Sequence, residues 1–165
     1  MQKQWKVLET PPQSFFDQYP ELPRSVAQLL YHRGIRTQRQ IDEFLNPDYS
    51  VDVHSPFLFK KKKKAVQRLF DAIEQKEKIV IHGDYDADGV SASTILMTTL
   101  KLLGATEIDV FLPHRELDGY GINVRTVELL AKSNTKVIIT CDCGVSNTTE
   151  VARANELGID VIITD

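Results

Sequence analysis

The sequence predicts an α/β protein in which a parallel sheet with flanking helices follows a small helical N-terminal region. Three observations support this fold class. From residue 79 to the end of the chain, short apolar runs alternate with segments of helical period. Gly104 and Gly158 stand just past predicted helix ends, where a left-handed residue is expected. Polar stretches follow each predicted strand, at the edge where open α/β sheets assemble their sites.

Length and composition allow one ordinary domain with a small appendage. The chain has 165 residues, of which 42% are hydrophobic, which is enough for a packed core. We expect an N-terminal arm with short helices at 1–59 and an α/β domain at 60–165. No apolar run approaches the roughly 20 residues of a membrane span, and no signal-peptide pattern is present. These features predict a cytoplasmic protein with no membrane partner.

The N-terminal region is predicted to be an arm followed by two short helices. Residues 1–20 should be extended and packed by aromatic side chains, namely Trp5, Phe15, Phe16 and Tyr19. Two capping-box patterns, Ser25 with Gln28 and Thr37 with Gln40, predict helices at 25–33 and 38–45. A loop should fill 46–59.

A longer helix is expected from residue 60 to 76. Its apolar stripe is formed by Val66, Leu69, Phe70 and Ile73. Lys60–Lys64 form an unbroken cationic run whose members cannot share one helix face. This run could be a solvated helix start or a segment that faces DNA. The net charge of −3 does not decide between these two interpretations.

Strands and helices then alternate. The strands are predicted at 79–82, 107–112, 136–141 and 160–163, and the helices at 90–103, 123–133 and 147–157. Asn147 and Glu150 have the spacing of a helix start. Strands separated by such helices form right-handed crossovers in a parallel sheet.

An acidic loop follows the first strand and organises the domain. Asp84, Asp86 and Asp88 occupy alternate positions, and His82 precedes them by two residues. Carboxylates this dense repel one another unless cations offset their charge. Oxygen-rich sites suit Mg²⁺ or Mn²⁺, and the imidazole favours Mn²⁺. We expect Gly89 to let the chain turn sharply into the next helix.

Two alternatives to a catalytic metal site concern the acidic loop, and a third concerns the two cysteines. The acidic run matches the first half of a calcium-binding EF-hand loop, but Ile95 occupies the twelfth position, where glutamate is required. One aspartate could instead simply cap the following helix, although that role does not explain three carboxylates and a histidine. Cys141 and Cys143 could form a thiolate site, but no second pair completes it, so small buried side chains are favoured.

Four stretches in order resemble the DHH phosphoesterases, and within them the RecJ group of exonucleases. The first is His82-Gly-Asp-Tyr-Asp-Ala-Asp-Gly89. The second is Leu112–Asn123, which contains an arginine and Gly-Tyr-Gly. The third is Thr140-Cys-Asp-Cys-Gly-Val-Ser146, and the fourth is Val161-Ile-Ile-Thr-Asp165, where the chain stops at the aspartate of Asp-His-His. The resemblance implies a DHH-type α/β fold.

The resemblance also implies roles for individual residues. His82 and Asp86 would hold one metal ion, Asp88 the other, and Asp142 would bridge them. Asp84 would orient His82 or a bound water, and Asp165 would position its loop. The residues expected to act in catalysis are thus Asp84, Asp142 and Asp165. Substrate-binding residues would be Arg115, Gly119, Tyr120, Gly121 and Asn123, although Asn123 fits a helix cap equally well.

The implied function is 5′→3′ hydrolysis of single-stranded DNA by two Mn²⁺ or Mg²⁺ ions, in DNA repair and recombination. Single-strand-binding protein and repair helicases would be partners. Two alternatives stay open: another DHH phosphoesterase acting on short oligonucleotides, cyclic dinucleotides or pyrophosphate, and a non-catalytic replication scaffold. Because the family continues past Asp165 with two histidines and a further aspartate, we expect the 165-residue chain alone to be inactive.

Overall fold

The computed structural model describes residues 4–165, which divide into two compact units. The first unit ends at Leu58 and the second begins at Phe59. The predicted loop at 46–59 runs up to this boundary and contains a 3₁₀ turn at Pro56–Leu58. The assignment of the two parts as an N-terminal region and a catalytic domain stays a prediction.

In residues 4–58 the first unit has three α-helices: α1 (Gln13–Gln18), α2 (Arg24–His32) and α3 (Gln38–Leu45). Its core consists of buried aromatic and aliphatic side chains, namely Phe15, Phe16, Tyr19, Ala27, Leu30 and Ile41. The Tyr19 hydroxyl donates a hydrogen bond to the Arg36 carbonyl at 2.8 Å, so the polar end of this buried ring is satisfied.

Two predictions for this unit are wrong, and prolines explain both. Residues 1–20 are not one extended arm, because Gln13–Gln18 is helical; residues 1–3 lie outside the described part. The predicted aromatic packing is confirmed for Phe15, Phe16 and Tyr19, whereas Trp5 is 98% exposed. Helix α2 begins at Arg24, not after a Ser25 cap. Pro12 and Pro23 precede the two helices, and proline suits a helix start because the N–H that it lacks would have no partner there.

The Thr37 capping box is confirmed. The Thr37 hydroxyl accepts a hydrogen bond from the Gln40 amide at 3.3 Å, and the Gln40 side chain accepts one from the Thr37 amide at 3.2 Å. Two amide groups that the helix start leaves without partners are thereby satisfied.

The second unit alternates helices and strands as predicted. Its elements are α4 (Lys62–Glu74), β1 (Lys78–His82), α5 (Ala87–Leu102), β2 (Ile108–Phe111), α6 (Val124–Lys132), β3 (Thr135–Cys141), α7 (Thr148–Glu156) and β4 (Asp160–Thr164). Gly104 and Gly158 follow α5 and α7 with φ of +100° and +74°, which confirms their predicted left-handed conformation.

The four strands form one parallel sheet in the order β2-β1-β3-β4. In the central ladder Ile81 lies beside Val110 on one side and Ile139 on the other. All four carboxyl ends therefore lie at one edge of the sheet. The predicted fold class, a parallel sheet with flanking helices after a helical N-terminal region, is confirmed.

Helices cover both faces of the sheet, which explains why the inner strands are continuous apolar runs. One face packs α4 and α5 against the sheet through Ala72, Ile79, Ile81, Leu100, Val137 and Ile139. The other packs α6 and α7 through Val80, Val127, Leu130, Ile138, Ala154 and Ile159. Successive residues of one strand serve opposite faces, as the two-residue period of a strand requires.

Helix α4 uses only part of its predicted stripe. Leu69 and Ile73 pack against the core, and Ala72 between them is fully buried. Val66 and Phe70, by contrast, are 40% and 43% exposed, so the face of α4 that packs on the sheet is centred on Leu69, Ala72 and Ile73. The lysines of Lys60–Lys64 are mostly exposed, as in a solvated helix start, and their role toward DNA stays a prediction.

No helix in residues 4–165 combines the length and apolar character needed to cross a membrane.

Candidate metal centre

The acidic loop runs directly from β1 into α5. His82 is the last residue of β1, and Asp86 occupies the position before the first helical residue, Ala87. One Asp86 carboxylate oxygen accepts hydrogen bonds from the amides of Asp88 at 3.0 Å and Gly89 at 3.1 Å. One aspartate thus caps the helix, as the simple alternative requires, but capping does not account for the carboxylates of Asp84 and Asp88.

Gly89 is needed for space rather than for an unusual backbone angle. It lies in the first turn of α5, and a Cβ atom there would stand 2.5 Å from the Asp84 amide nitrogen and 2.6 Å from its Cα. The expected sharp turn at Gly89 is therefore a close approach of the helix to the loop. This contact fixes the backbone of Asp84, which is only 5% exposed.

Asp142 follows the last residue of β3 and has a backbone φ of +59°. Its amide donates a hydrogen bond to the Thr164 carbonyl at 3.1 Å, which ties this turn to β4. Left-handed backbone is uncommon for residues other than glycine, although aspartate and asparagine tolerate it best. Strained backbone of this kind is concentrated at functional sites.

The sheet edge brings three carboxylates together. Oxygen atoms of Asp84, Asp86 and Asp142 lie within 4.8 Å of one another. Partial burial, followed by the negative charges of the neighbouring carboxylates Asp86 and Asp88, raises the pKa of Asp142. Three oxygen donors with uncompensated negative charge fit a hard divalent cation such as Mg²⁺ or Mn²⁺.

His82 is completely buried, and its ring nitrogens are not part of the group formed by the three carboxylates. Its Nδ1 atom lies 3.8 Å from the Cys143 sulfur, and its ring stacks on Phe111 with centroids 5.2 Å apart. Within residues 4–165 its Nε2 atom is buried with no hydrogen-bond partner. Burial lowers the pKa of His82, so the ring is neutral at pH 7, the form in which imidazole binds metals.

These placements differ in part from the predicted division of roles. Asp84 lies among the three carboxylates, whereas the sequence placed it behind the metal ligands. Asp88 is exposed in the first turn of α5 and lies outside the group, and Asp165 is exposed at the end of the chain. The ligand roles of His82 and Asp88, and the role of Asp165, stay predictions.

The two cysteines are buried beside Asp142, and in the described residues both are free thiols. Cys141 is 3% exposed and Cys143 is not exposed at all. Burial, and then the nearby charges of Asp84 and Asp165, raises the pKa of Cys143 to about 11. A structural thiolate site needs a second pair of ligands of this kind, and the sequence contains only these two cysteines. Small buried side chains therefore describe these cysteines better than a thiolate site does.

The predicted substrate segment reaches the same edge of the sheet. The Tyr120 hydroxyl donates a hydrogen bond to the Asp142 carbonyl at 3.0 Å, while the residue remains 63% exposed. The Arg115 guanidinium lies 5.2 Å from the centre of the Tyr85 ring, within the range of a cation–π contact. Gly119 and Gly121 have φ of +76° and +80°, so both use the left-handed region.

Asn123 is a helix cap. Its side-chain oxygen accepts a hydrogen bond from the Thr126 amide at 2.8 Å, and its side-chain nitrogen donates one to the Asp118 carbonyl at 3.4 Å. Of the two roles that the sequence allowed, this structural one is observed. Contact of Asn123 with substrate stays a prediction.

The sequence predicted no role in the site for Tyr85, Phe111 or Asn147. Tyr85 stood inside the acidic loop, and an aromatic residue beside phosphate-binding groups could have signalled it. Phe111 resembled an ordinary strand residue and carried no signal. Asn147 was recognised only as a helix start, yet its side chain bonds to the backbone of the preceding loop.

Residues of the second unit match a known protein family. The model of the DHH family, N-terminal domain, matches residues 78–165. This chain is 41% identical over 140 residues to the single-stranded-DNA-specific exonuclease RecJ of Bacillus subtilis, covering 85% of this chain and 18% of that protein. It is 34% identical over 165 residues to the protein of the same name from Thermus thermophilus, covering 98% of this chain and 23% of that protein.

Two solved structures are also similar. One is exonuclease RecJ bound to manganese, at 38% identity and a TM-score of 0.60, covering 64% of this chain and 27% of that one. The other is RecJ from Thermus thermophilus in complex with Mn²⁺, at 30% identity and a TM-score of 0.57, covering 98% and 22%. The chain thus spans about a fifth of the length of these curated relatives.

Proposed function

Because this chain belongs to the DHH family, we propose that it supplies the metal-binding core of an exonuclease that hydrolyses single-stranded DNA from the 5′ end. The observation that carries the proposal is the meeting of Asp84, Asp86 and Asp142 at the carboxyl edge of a parallel sheet. The names of the similar proteins, single-stranded-DNA-specific exonucleases, support the choice of substrate.

The proposed cofactors are two Mn²⁺ or Mg²⁺ ions; the choice of metal is supported by the two similar structures, which are bound to manganese. Two such ions supply a nucleophile at neutral pH and stabilise negative charge on the phosphate oxygens. In our proposal Asp84, Asp86 and Asp142 hold cations through their carboxylates. His82 offers its Nε2 atom, which has no hydrogen-bond partner among residues 4–165, and Asp88 contributes from the first turn of α5.

The remaining residues act on the substrate. Arg115 binds a phosphate through its planar guanidinium, which the Tyr85 ring holds in place. The exposed Tyr120 ring stacks on a base, and such stacking tolerates any sequence because every base presents a π-face. Gly119 and Gly121 give the segment the turn that presents this ring, and Asp165 supports the neighbouring loop.

The setting of this activity is also proposed. We place it in the cytoplasm, in DNA repair and recombination, with single-strand-binding protein and repair helicases as partners. These assignments rest on the family resemblance. The other DHH phosphoesterase activities and the non-catalytic scaffold are less well supported, because the similar curated proteins are exonucleases and the carboxylates needed for metal binding are present.

The test is a substrate comparison in Mn²⁺, using this chain and a chimera in which it replaces the matching segment of the Bacillus subtilis relative. Single-stranded DNA labelled at the 5′ end, dinucleotides and pyrophosphate are offered in parallel. We expect the chimera to degrade the DNA from its 5′ end. Preference for dinucleotides or pyrophosphate would indicate another phosphoesterase, and a folded, Mn²⁺-binding chimera without any turnover would indicate a scaffold.

A further inference from the structure

The Asn147 side chain bonds to the loop before α6 instead of capping the helix that it precedes. It stands before the first residue of α7, and in the described chain its side chain makes no capping hydrogen bond there. Its Oδ1 atom accepts a hydrogen bond from the Ile122 amide at 3.3 Å. Its Nδ2 atom donates one to the Ile122 carbonyl at 2.9 Å. A single side-chain amide thus satisfies both backbone groups of one residue.

Two neighbouring residues, Gly121 and Glu150, help to hold the Asn147 amide in this orientation. Gly121 has φ of +80°, and a Cβ atom there would stand 2.6 Å from Asn147 Oδ1, so any larger residue would push the amide away. The second Nδ2 hydrogen is directed to Glu150 Oε2 at 3.2 Å. These donor and acceptor partners fix the orientation of the amide. Ile122 itself is 3% exposed, so its backbone groups depend on partners inside the protein.

The contact joins the two segments that form the site. On one side lies the segment 115–123, which carries Arg115 and Tyr120. On the other lies the loop after β3, in which Asp142 and Asn147 are five residues apart. The Tyr120 hydroxyl fastens the same two segments at the Asp142 carbonyl. The phosphate- and base-binding groups are thereby held at a set distance from the carboxylates.

We propose that Asn147 is a positioning residue that holds the 115–123 segment beside the carboxylate cluster for binding single-stranded DNA. The choice of ligand rests on the proposed function; the backbone contact does not. Without the amide, the segment loses two hydrogen bonds to the buried Ile122, while the Tyr120 hydrogen bond and the Arg115 contact with the Tyr85 ring remain. Its arginine and tyrosine then spend less time in the binding arrangement, which weakens DNA affinity without altering the metal ligands.

Two variants separate this role from a helix-capping role. Asn147→Ala removes both the hydrogen bonds to Ile122 and the side chain that could cap α7. Asn147→Asp supplies a strong helix-capping residue and keeps an acceptor oxygen, but it loses the donor and puts a negative charge beside Glu150 and the Ile122 carbonyl. A capping role predicts that aspartate restores normal behaviour; the positioning role predicts that it fails as alanine does. Asn155→Ala, at an exposed position on α7, is the matched control.

The experiment measures three properties of the 165-residue chain: amide hydrogen exchange at Ile122, affinity for a 5′-phosphorylated single-stranded oligonucleotide, and affinity for Mn²⁺. Both Asn147 variants should exchange the Ile122 amide about tenfold faster and bind DNA about tenfold more weakly. Mn²⁺ affinity should change less than about twofold, since no carboxylate is touched.

Normal exchange and DNA binding in Asn147→Asp would overturn the proposal. Faster exchange with unchanged DNA affinity would overturn the substrate role and leave a structural contact. If the unaltered chain binds no oligonucleotide, the proposed function is contradicted, and so is the role of Asn147 in DNA binding. The exchange measurement would still show whether Asn147 holds the segment in place.

Discussion

The Tyr120 hydroxyl donates a hydrogen bond to the main-chain carbonyl of Asp142 at 3.0 Å, across 22 residues of chain. The bond joins the proposed substrate segment to the turn that carries a carboxylate of the metal centre. Desolvation, and then the charge of Asp165, raises the pKa of the Tyr120 hydroxyl, so it stays protonated and able to donate at neutral pH. The ring beyond the hydroxyl is left exposed to a ligand.

Substitution of Tyr120 should separate the hydrogen bond from the stacking ring. Tyr120→Phe keeps the ring and loses the donor, so affinity for a short single-stranded oligonucleotide should fall about threefold. Tyr120→Ala loses both and should weaken binding about tenfold further. Fluorescence anisotropy measures both affinities, with Tyr49→Ala as a control at an exposed tyrosine in the other unit. Equal affinity of Tyr120→Ala and the unaltered chain would exclude stacking.

Asp142→Asn should abolish Mn²⁺-dependent hydrolysis by the chimera while it stabilises the metal-free chain. Asparagine tolerates the left-handed backbone at this position, so the turn is kept. Removing one negative charge relieves repulsion among the carboxylates that raise the pKa of Asp142. Hydrolysis is followed on 5′-labelled DNA, and the melting temperature is measured with a chelator and with Mn²⁺.

The melting temperature of Asp142→Asn should exceed that of the unaltered chain in chelator, and Mn²⁺ should raise it less. Glu107→Gln is the control, because it removes an exposed carboxylate that precedes β2 at the opposite end of the sheet. Full hydrolysis by Asp142→Asn, or a lower melting temperature in chelator, would contradict the assignment of this carboxylate to the metal centre.

The sheet was predictable because its signals are local and agree with one another. Apolar runs such as Ile79–Ile81 mark strands buried on both faces, and Gly104 and Gly158 mark helix ends. Parallel strands then necessarily bring their carboxyl ends to one edge. The nearness of Asp86 and Asp142 follows from that topology alone.

The details of the site were less predictable because they depend on contacts between distant segments. The buried position of Asp84 follows from the close approach of Gly89, which sequence reasoning took for a turn. The Asn147 side chain forms its hydrogen bonds with the backbone of Ile122, 25 residues away, and not with the start of its own helix. Capping patterns describe only local partners, so they cannot reveal when a more distant backbone group takes the side chain.

Cys141 and Cys143 should resist alkylation in the folded protein. Both side chains are buried, and the pKa of about 11 for Cys143 leaves little thiolate at pH 8. Iodoacetamide labelling followed by mass spectrometry should show both cysteines unmodified in native buffer and rapidly modified in denaturant, which serves as the control. Rapid labelling of Cys143 in native buffer would show that its thiolate is accessible, and it would support the alternative of a thiolate metal site.

Gly89→Ala should destabilise the protein, although the same change inside an ordinary helix stabilises it by about 1 kcal/mol. The added methyl group would overlap the Asp84 backbone at 2.5–2.6 Å, and backbone cannot rotate away as a flexible side chain can. Forced contacts of this kind cost about 1–3 kcal/mol. Because the strain falls on Asp84, both the affinity for Mn²⁺ and the free energy of unfolding should decrease.

Urea denaturation measures the free energy of unfolding, and calorimetry measures the affinity for Mn²⁺. The control is Ser91→Ala, at an exposed position in the same helix, which should be neutral or slightly stabilising. A Gly89→Ala protein as stable as that control, with normal Mn²⁺ affinity, would show that α5 can move away from the loop and that this close approach does not position the carboxylate.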